Sequence, residues 1–231
     1  MPNPVFLSDK SDKKTKKIIH MRLHKELQNP ADITPEIALQ ILKEGNFRFV
    51  NNLRINRNLL ELVNETKDGQ WPFATILSCI DSRTSAELIF DQGLGDIFSI
   101  RIAGNIISQG ILGSLEFATA VAGSKLIVVL GHTNCGAIKG ACDHVELGYL
   151  TSLLTKIQPA VLTEKNTVTE RNGKNIDFVN SVAELNAHYS AQQILEQSEI
   201  IRKLKEENKL MIAAAMYDIA TGSVKFSDHK F

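Results

Sequence analysis

Two short apolar runs, each followed at once by possible metal ligands, constrain the fold of this chain more than any other feature. The first run, 73–78, leads into Cys79, and the second, 126–130, leads into His132 and Cys135. Runs of this length are typical of buried strands in a parallel sheet. Because parallel strands end at one edge of a sheet, we expect the three side chains to meet there. Two thiolates and an imidazole are ligands that suit Zn²⁺.

The composition is that of an ordinary globular protein without a strong surface charge. The chain has 231 residues, 43% hydrophobic and 23% charged, which is enough for one domain with a sizeable core. Lysine plus arginine and aspartate plus glutamate both number 26, so the net charge is zero. This balance gives no indication of a nucleic-acid or membrane partner. No apolar run in the sequence has the length of a bilayer span.

The cysteines indicate the redox environment. Three cysteines in a chain of this length argue against a disulfide scaffold. If Cys79 and Cys135 bind metal, Cys142 is left over, and we interpret it as a small buried residue on a helix. Residues 1–17 are polar and basic and lack the apolar core of a secretory signal. We therefore expect a cytoplasmic protein whose thiols stay reduced.

Strand-like and helix-like segments alternate along most of the chain. This alternation predicts an α/β fold, with a mostly parallel sheet covered by helices on both faces. Residues 1–33 are interpreted as an N-terminal arm and 34–231 as a single domain. The predicted strands are 73–78, 96–101, 125–130, 210–217 and 224–226, the last antiparallel at an edge. The predicted helices are one that starts at Thr34-Pro35 and others at 58–68, 84–92, 111–122, 137–143, 147–157 and 177–207, with 159–174 a surface loop.

The pattern Cys79-x-Asp81-x-Arg83, followed after a strand-helix-strand unit by His132-x-x-Cys135, resembles the β-class carbonic anhydrases. The resemblance extends over most of the chain. It implies a three-layer αβα domain with sheet order 2-1-3-4 plus an antiparallel edge strand. It also implies an enzyme, carbonate dehydratase, that converts carbon dioxide reversibly to bicarbonate and a proton by means of a zinc-bound hydroxide.

The fourth zinc ligand decides between a catalytic and a structural site. Arg83 can hold the Asp81 carboxylate as a bidentate pair, which would keep that carboxylate off the metal and leave a position for water. The family has an open form with this Asp–Arg dyad and a closed form with Asp on zinc. The closed subgroup has Trp three residues before the first cysteine, where this chain has Ile76. We therefore predict the open form, with Asp81 and Arg83 as catalytic residues.

The resemblance also implies a substrate pocket and a partner subunit. The residues expected to bind carbon dioxide or bicarbonate are Gln70, Phe98, Ala103, Phe117 and Gly136. At Phe117 the plant enzymes carry Tyr, so this chain lacks that hydroxyl. In the family the neighbouring subunit supplies part of the pocket, so a homodimer or a tetramer is expected. The helices within 34–70 would then pack on the partner, although a contact with the chain's own core would give the same pattern.

Two other functions are compatible with the sequence. One is hydrolysis of a carbon dioxide analogue, carbonyl sulfide or carbon disulfide, because related proteins share this type of zinc site. The other is non-catalytic zinc binding, with Asp81 fixed on the metal as the fourth ligand. The presence of Arg83, two residues after that carboxylate, argues against the second function.

Overall fold

A five-stranded sheet in the order β2-β1-β3-β4-β5 forms the centre of the computed structural model, which describes residues 33–229 and 231. Strands β1 to β4 pair in parallel, and β5 pairs antiparallel with β4 at one edge. The predicted sheet order and the antiparallel edge strand are confirmed. The predicted N-terminal arm lies outside the described residues, apart from its last residue. The strand bounds are β1 Ala74–Ser78, β2 Ile97–Arg101, β3 Leu126–His132, β4 Met211–Tyr217 and β5 Val224–Phe226.

Helices cover both faces of the sheet, which confirms the three-layer αβα prediction. A 3-10 turn at Ala103–Asn105 precedes α4, and a π-helical turn at Phe117–Val121 follows it directly. Among the described residues no helix combines the length and the apolar character needed to cross a membrane. The helix bounds are α1 Pro35–Val50, α2 Leu59–Thr66, α3 Ala86–Ile89, α4 Gln109–Glu116, α5 Gly136–Cys142, α6 Gly148–Thr155, α7 Gln158–Thr163, α8 Ile176–Gln197 and α9 Glu199–Glu206.

Side chains of the central strands alternate between two apolar cores. On β3, Leu126 and Val128 pack in the core beneath α1 and α3. Ile127 and Val129 on the same strand pack in the core beneath α4, α8 and α9. Because both faces are covered, β3 is buried along its whole length, and this explains the continuous apolar run in the sequence.

Helix α1 begins where it was predicted, with Pro35 in its first turn and Thr34 as the N-cap residue. Further along the helix, Gly45 lies where the backbones of α1 and of the segment after α3 approach each other closely. A Cβ at this position would lie 1.8 Å from the carbonyl oxygen of Phe90, which follows α3. The absence of a side chain therefore allows α1 to lie directly against α3.

Asn46, the next residue of α1, connects the helix to the edge of the sheet. Its Nδ2 donates hydrogen bonds to Ile89 O at 3.1 Å and to Gly222 O at 2.9 Å. Its Oδ1 accepts a hydrogen bond from Val224 N, in β5, at 2.8 Å. A buried amide with its hydrogen bonds satisfied fixes α1 against both α3 and the β4–β5 hairpin.

Two sequence predictions about helices are wrong. The predicted loop 159–174 starts with α7, because Pro159 occupies the first turn of a helix, where its missing N–H has no partner to lose. The predicted single helix 177–207 is divided at Ser198, whose backbone is extended with φ −109° and ψ 108°. Ser198 Oγ accepts a hydrogen bond from Ile201 N at 3.2 Å and so caps α9.

Candidate metal centre

Cys79, His132 and Cys135 meet at the carboxyl edge of the sheet, as the sequence predicted. Cys79 follows β1, His132 is the last residue of β3, and Cys135 is the N-cap residue of α5. The two Sγ atoms lie 3.9 Å apart, and the three ligand atoms all lie within 4.8 Å of one another. All three residues are buried. Within the described part of the chain, this is the one such group of three or more possible ligands.

His132 is oriented so that Nε2 can bind a metal. Its Nδ1 lies 3.0 Å from the carbonyl oxygen of Thr133, a contact that places the ring proton on Nδ1. Nε2 is buried and has no hydrogen-bond partner among the residues that the structure describes. A buried nitrogen without a partner is costly, and a metal ion would satisfy it. The residues present therefore fit Zn²⁺, which binds thiolate and imidazole donors in tetrahedral sites.

The two thiols are coupled through their contact. The hydrogen bond from Cys135 lowers the pKa of the Cys79 thiol. The same hydrogen bond, together with burial, raises the pKa of the Cys135 thiol. Cys79 is therefore the thiol that ionises first. A bound cation would favour ionisation of Cys135 as well, because thiols bind metals as thiolates.

The backbone after β2 supports Cys79. Ile102 N donates a hydrogen bond to Ser78 O at 3.0 Å and extends the β1–β2 pairing by one residue. Gly104 N then donates to Cys79 Sγ at 3.4 Å. Hydrogen bonds of this kind orient metal ligands and tune their charge.

The conformation of Gly104 is one that glycine favours. Its φ is +67°, and a Cβ would lie 2.7 Å from Ile157 Cδ1 and 3.3 Å from Ala137 Cβ. From α8, Asn186 Nδ2 donates a hydrogen bond to Gly104 O at 2.8 Å. Gly104 therefore contacts the Cys79 sulfur through its N–H and is held through its carbonyl oxygen by a helix residue 82 positions away in sequence.

Asp81 and Arg83 form a bidentate ion pair on the loop that follows Cys79. Arg83 Nε donates to Asp81 Oδ1 at 2.9 Å, and Nη2 donates to Oδ2 at 2.7 Å. The backbone N–H of Arg83 also donates to Oδ1 at 3.0 Å. These hydrogen bonds hold the pKa of the Asp81 carboxyl well below its usual range. The carboxylate does not belong to the group of ligand atoms that lie within 4.8 Å of one another.

Arg101, the last residue of β2, was missed in the sequence analysis although it contacts the same loop. Its Nε donates to Cys79 O at 3.0 Å, and its Nη2 donates to Asp81 O at 2.5 Å. Thr84, which is buried, places Oγ1 at 3.0 and 2.8 Å from the same two carbonyl oxygens. The available signal was the position of Arg101 at the carboxyl end of a predicted strand, where open α/β sheets place their sites.

The residues expected to bind substrate lie in several places. Phe98 and Phe117 face each other edge to face, with ring centroids 6.4 Å apart, in a groove of about 380 Å³ between β2 and α4. Ala103 is half-buried in the 3-10 turn, Gly136 is exposed at the start of α5, and Gln70 is exposed before β1. Their role in binding substrate stays a prediction.

Comparison with known proteins gives consistent matches over most of the chain. The family model described as carbonic anhydrase matches residues 74–224. Carbonic anhydrase 2 of Mycobacterium tuberculosis is 33% identical over 201 residues, covering 84% of this chain and 94% of that protein. The carbonic anhydrase of Mycolicibacterium smegmatis is 32% identical with the same coverage. A tetrameric β-carbonic anhydrase of Sordaria macrospora superposes with a TM-score of 0.67 at 25% identity, covering 74% of this chain and 88% of that one.

Proposed function

Because the chain belongs to the β-carbonic anhydrase family, whose general reaction is hydration of carbon dioxide, we propose that it performs this reaction with one Zn²⁺ held by Cys79, His132 and Cys135. The chain is thus a carbonate dehydratase, a lyase. The observation that carries the metal proposal is the buried Nε2 of His132, which lies beside two thiols and lacks a hydrogen-bond partner in the described part of the chain. The thiol ligands must stay reduced, which supports a cytoplasmic location.

Cys79, His132 and Cys135 would hold the metal, which would act as a Lewis acid that lowers the pKa of a water and provides a nucleophile near neutral pH. Two thiolates would balance the formal charge of the ion, and His132 would contribute a neutral donor. Thr133 O holds the imidazole ring in the orientation that directs Nε2 into the cluster.

Asp81 and Arg83 are proposed as the catalytic pair. Arg83 keeps the Asp81 carboxyl ionised by lowering its pKa, so the carboxylate is available to accept a hydrogen bond from the attacking water and to orient it. Among the described residues, Oδ2 accepts one hydrogen bond, from Arg83, and it retains capacity for another donor. The paired carboxylate also supports an open fourth position, which distinguishes catalytic zinc from structural zinc.

The substrate pocket is proposed to form from Gln70, Phe98, Ala103, Phe117 and Gly136, with a second copy of the chain completing it. In the part of the chain that the structure describes, β2 is an edge of the sheet, and edge strands are open to further pairing. Beside it, Phe117 is 53% exposed and Val121 is 73% exposed. Large exposed apolar side chains next to an open sheet edge are typical of an interface, so this face supports a homodimer.

Stopped-flow hydration of carbon dioxide combined with metal analysis tests the proposal. We expect about one zinc per chain in the wild type and in Asp81→Asn, with kcat lowered about 100-fold or more in the variant. Asp68→Asn, at an exposed position after α2, is the matched control. A zinc-loaded wild type without hydration activity, or an Asp81→Asn variant as fast as the control, would contradict the proposal.

The same preparations distinguish carbon dioxide from its analogues. Hydrolysis of carbonyl sulfide and carbon disulfide is measured alongside hydration. A kcat/KM for either analogue above that for carbon dioxide would replace the proposed substrate, with the metal centre unchanged.

A further inference from the structure

The side chain of Arg101 binds the backbone of the loop that follows β1 and carries Cys79 and Asp81. Its side chain leaves the end of β2, where it lies opposite Ser78 in the parallel pairing, and reaches across the end of β1. There Nε and Nη2 donate to the carbonyl oxygens of Cys79 and Asp81, at 3.0 and 2.5 Å. Cys79 is a proposed metal ligand, and Asp81 belongs to the proposed catalytic pair.

The chemistry of this contact is specific to arginine. Nε–H and one Nη–H point in the same direction from a planar guanidinium, so they can reach two acceptors at once. The carbonyl oxygens of residues 79 and 81 provide two such acceptors. A lysine ammonium carries the same charge as a compact point without this fork.

Two guanidinium groups contact Asp81, and Thr84 N also donates to its carbonyl oxygen at 2.9 Å. Arg83 donates hydrogen bonds to both carboxylate oxygens of Asp81. Arg101 donates a hydrogen bond to the backbone carbonyl oxygen of Asp81, and Thr84 Oγ1 lies 2.8 Å from the same oxygen. Because the β1–β2 pairing continues at Ile102, Arg101 extends from a paired strand end rather than from a free loop.

We propose that Arg101 is a positioning residue, which fixes the backbone of residues 79–81 so that the Asp81 carboxylate faces Arg83 and not the metal. This inference rests on the proposed function for its effect on rate. Its effect on the geometry of the metal centre is independent of the substrate.

The test compares Arg101→Ala and Arg101→Lys with the wild type. Arg54→Ala, at an exposed position outside the site, is the matched control. Each protein is examined for metal content, for thermal unfolding, for kcat and KM of carbon dioxide hydration, and for the visible absorption spectrum of its Co²⁺-substituted form between pH 6 and 9, a range chosen to bracket the ordinary titration of catalytic groups.

In Arg101→Ala we expect retained metal, kcat lowered about tenfold to a hundredfold, KM within about twofold, and a changed cobalt spectrum. Arg101→Lys should show most of the same loss of kcat, because lysine preserves the charge but lacks the paired N–H donors of the guanidinium. A merely structural role would lower thermal stability and leave the spectrum of the folded protein unchanged.

The inference is overturned if Arg101→Ala matches Arg54→Ala in spectrum and kcat, or if Arg101→Lys restores both fully. If Arg101→Ala does not fold, Arg101→Lys decides: a reduced kcat with a changed spectrum supports positioning, and wild-type values reject it. A wild type that does not hydrate carbon dioxide, but whose cobalt spectrum responds to Arg101→Ala, would refute the proposed function and leave the positioning role standing.

Discussion

Gly104 N lies 3.4 Å from Cys79 Sγ, so a residue without a side chain donates directly to a proposed metal ligand. The contact depends on a left-handed backbone packed against Ile157 and Ala137. The metal centre is thus supported by tight packing as well as by its ligands.

The first prediction concerns this packing. Gly104→Ala should destabilise the protein by about 1–3 kcal/mol, because the new Cβ meets Ile157 and the left-handed φ becomes strained. Zinc affinity should fall about tenfold to a hundredfold as the bond to Cys79 is disturbed. Chemical unfolding and competition with a zinc chelator measure the two effects.

Gly123→Ala is the control for backbone strain alone. Gly123 has a similar φ of +78°, but a Cβ at this position would meet no described atom within 4 Å. The Gly123→Ala variant should be less stable than the wild type but should bind zinc with the same affinity. Equal zinc affinity in the Gly104 and Gly123 variants would show that the contact with Cys79 is unimportant.

The second prediction separates the three cysteines. Cys79→Ser and Cys135→Ser should lose most of their zinc, since each removes a thiolate from the cluster. Cys142→Ala should keep about one zinc per chain, because this buried cysteine does not belong to the cluster and burial raises its pKa to about 11. Metal analysis after dialysis gives the answer, and loss of zinc from Cys142→Ala would contradict the ligand assignment.

Metal removal extends the same prediction. Chelation should lower the unfolding temperature of the wild type and of Cys142→Ala, because a ligand that binds only the folded state stabilises it. Chelation should have little effect on Cys79→Ser, which already lacks the metal.

The third prediction concerns stability and pH at Glu164. Burial raises the pKa of this carboxyl, but hydrogen bonds from Thr167 N and from Arg171 outweigh burial and lower the pKa below its ordinary value. A carboxyl with a lowered pKa in the folded state stabilises the protein above its unfolded pKa of about 4.3, and this stabilisation is lost as pH falls through the folded value.

Glu164→Gln should therefore be about 1 kcal/mol less stable than the wild type at pH 7, with the difference shrinking below about pH 4. Urea unfolding at a series of pH values measures this dependence. Glu146→Gln, at an exposed position, should match the wild type throughout. A deficit in Glu164→Gln that stayed constant down to acid pH would contradict the role of the charge.

The fourth prediction concerns the face formed by β2 and α4. Ser114 is exposed and lines the groove beside Phe117, so Ser114→Arg should place a charge in the proposed dimer interface. We expect sedimentation to show smaller assemblies and kcat to fall at least tenfold, because the partner completes the pocket. Ser152→Arg, on an exposed part of α6, should leave both unchanged. A wild type that sediments as a monomer at micromolar concentration would refute the interface.

The metal cluster was predictable because its residues follow strands whose apolar runs are visible in the sequence. The sheet order came from the family resemblance and was confirmed by the pairing. The break at Ser198 was not predictable, because serine is tolerated within helices and becomes a cap only when the chain turns there. The position of Arg101 at the end of a predicted strand places it near the site, but its hydrogen-bond partners depend on a side-chain conformation that the periodicity of a sequence does not specify.

The amide of Asn46 has a consequence for how copies of the chain can add to one another. The Asn46 side chain accepts a hydrogen bond from the outward-facing N–H of Val224, so this N–H at the β5 edge cannot pair with a further strand. Among the described residues, no strand pairs with the outer side of β2 at the opposite edge. If two copies join through β2 about a twofold axis, both open edges are used, and growth of the sheet by strand addition stops at two copies instead of continuing into a fibre.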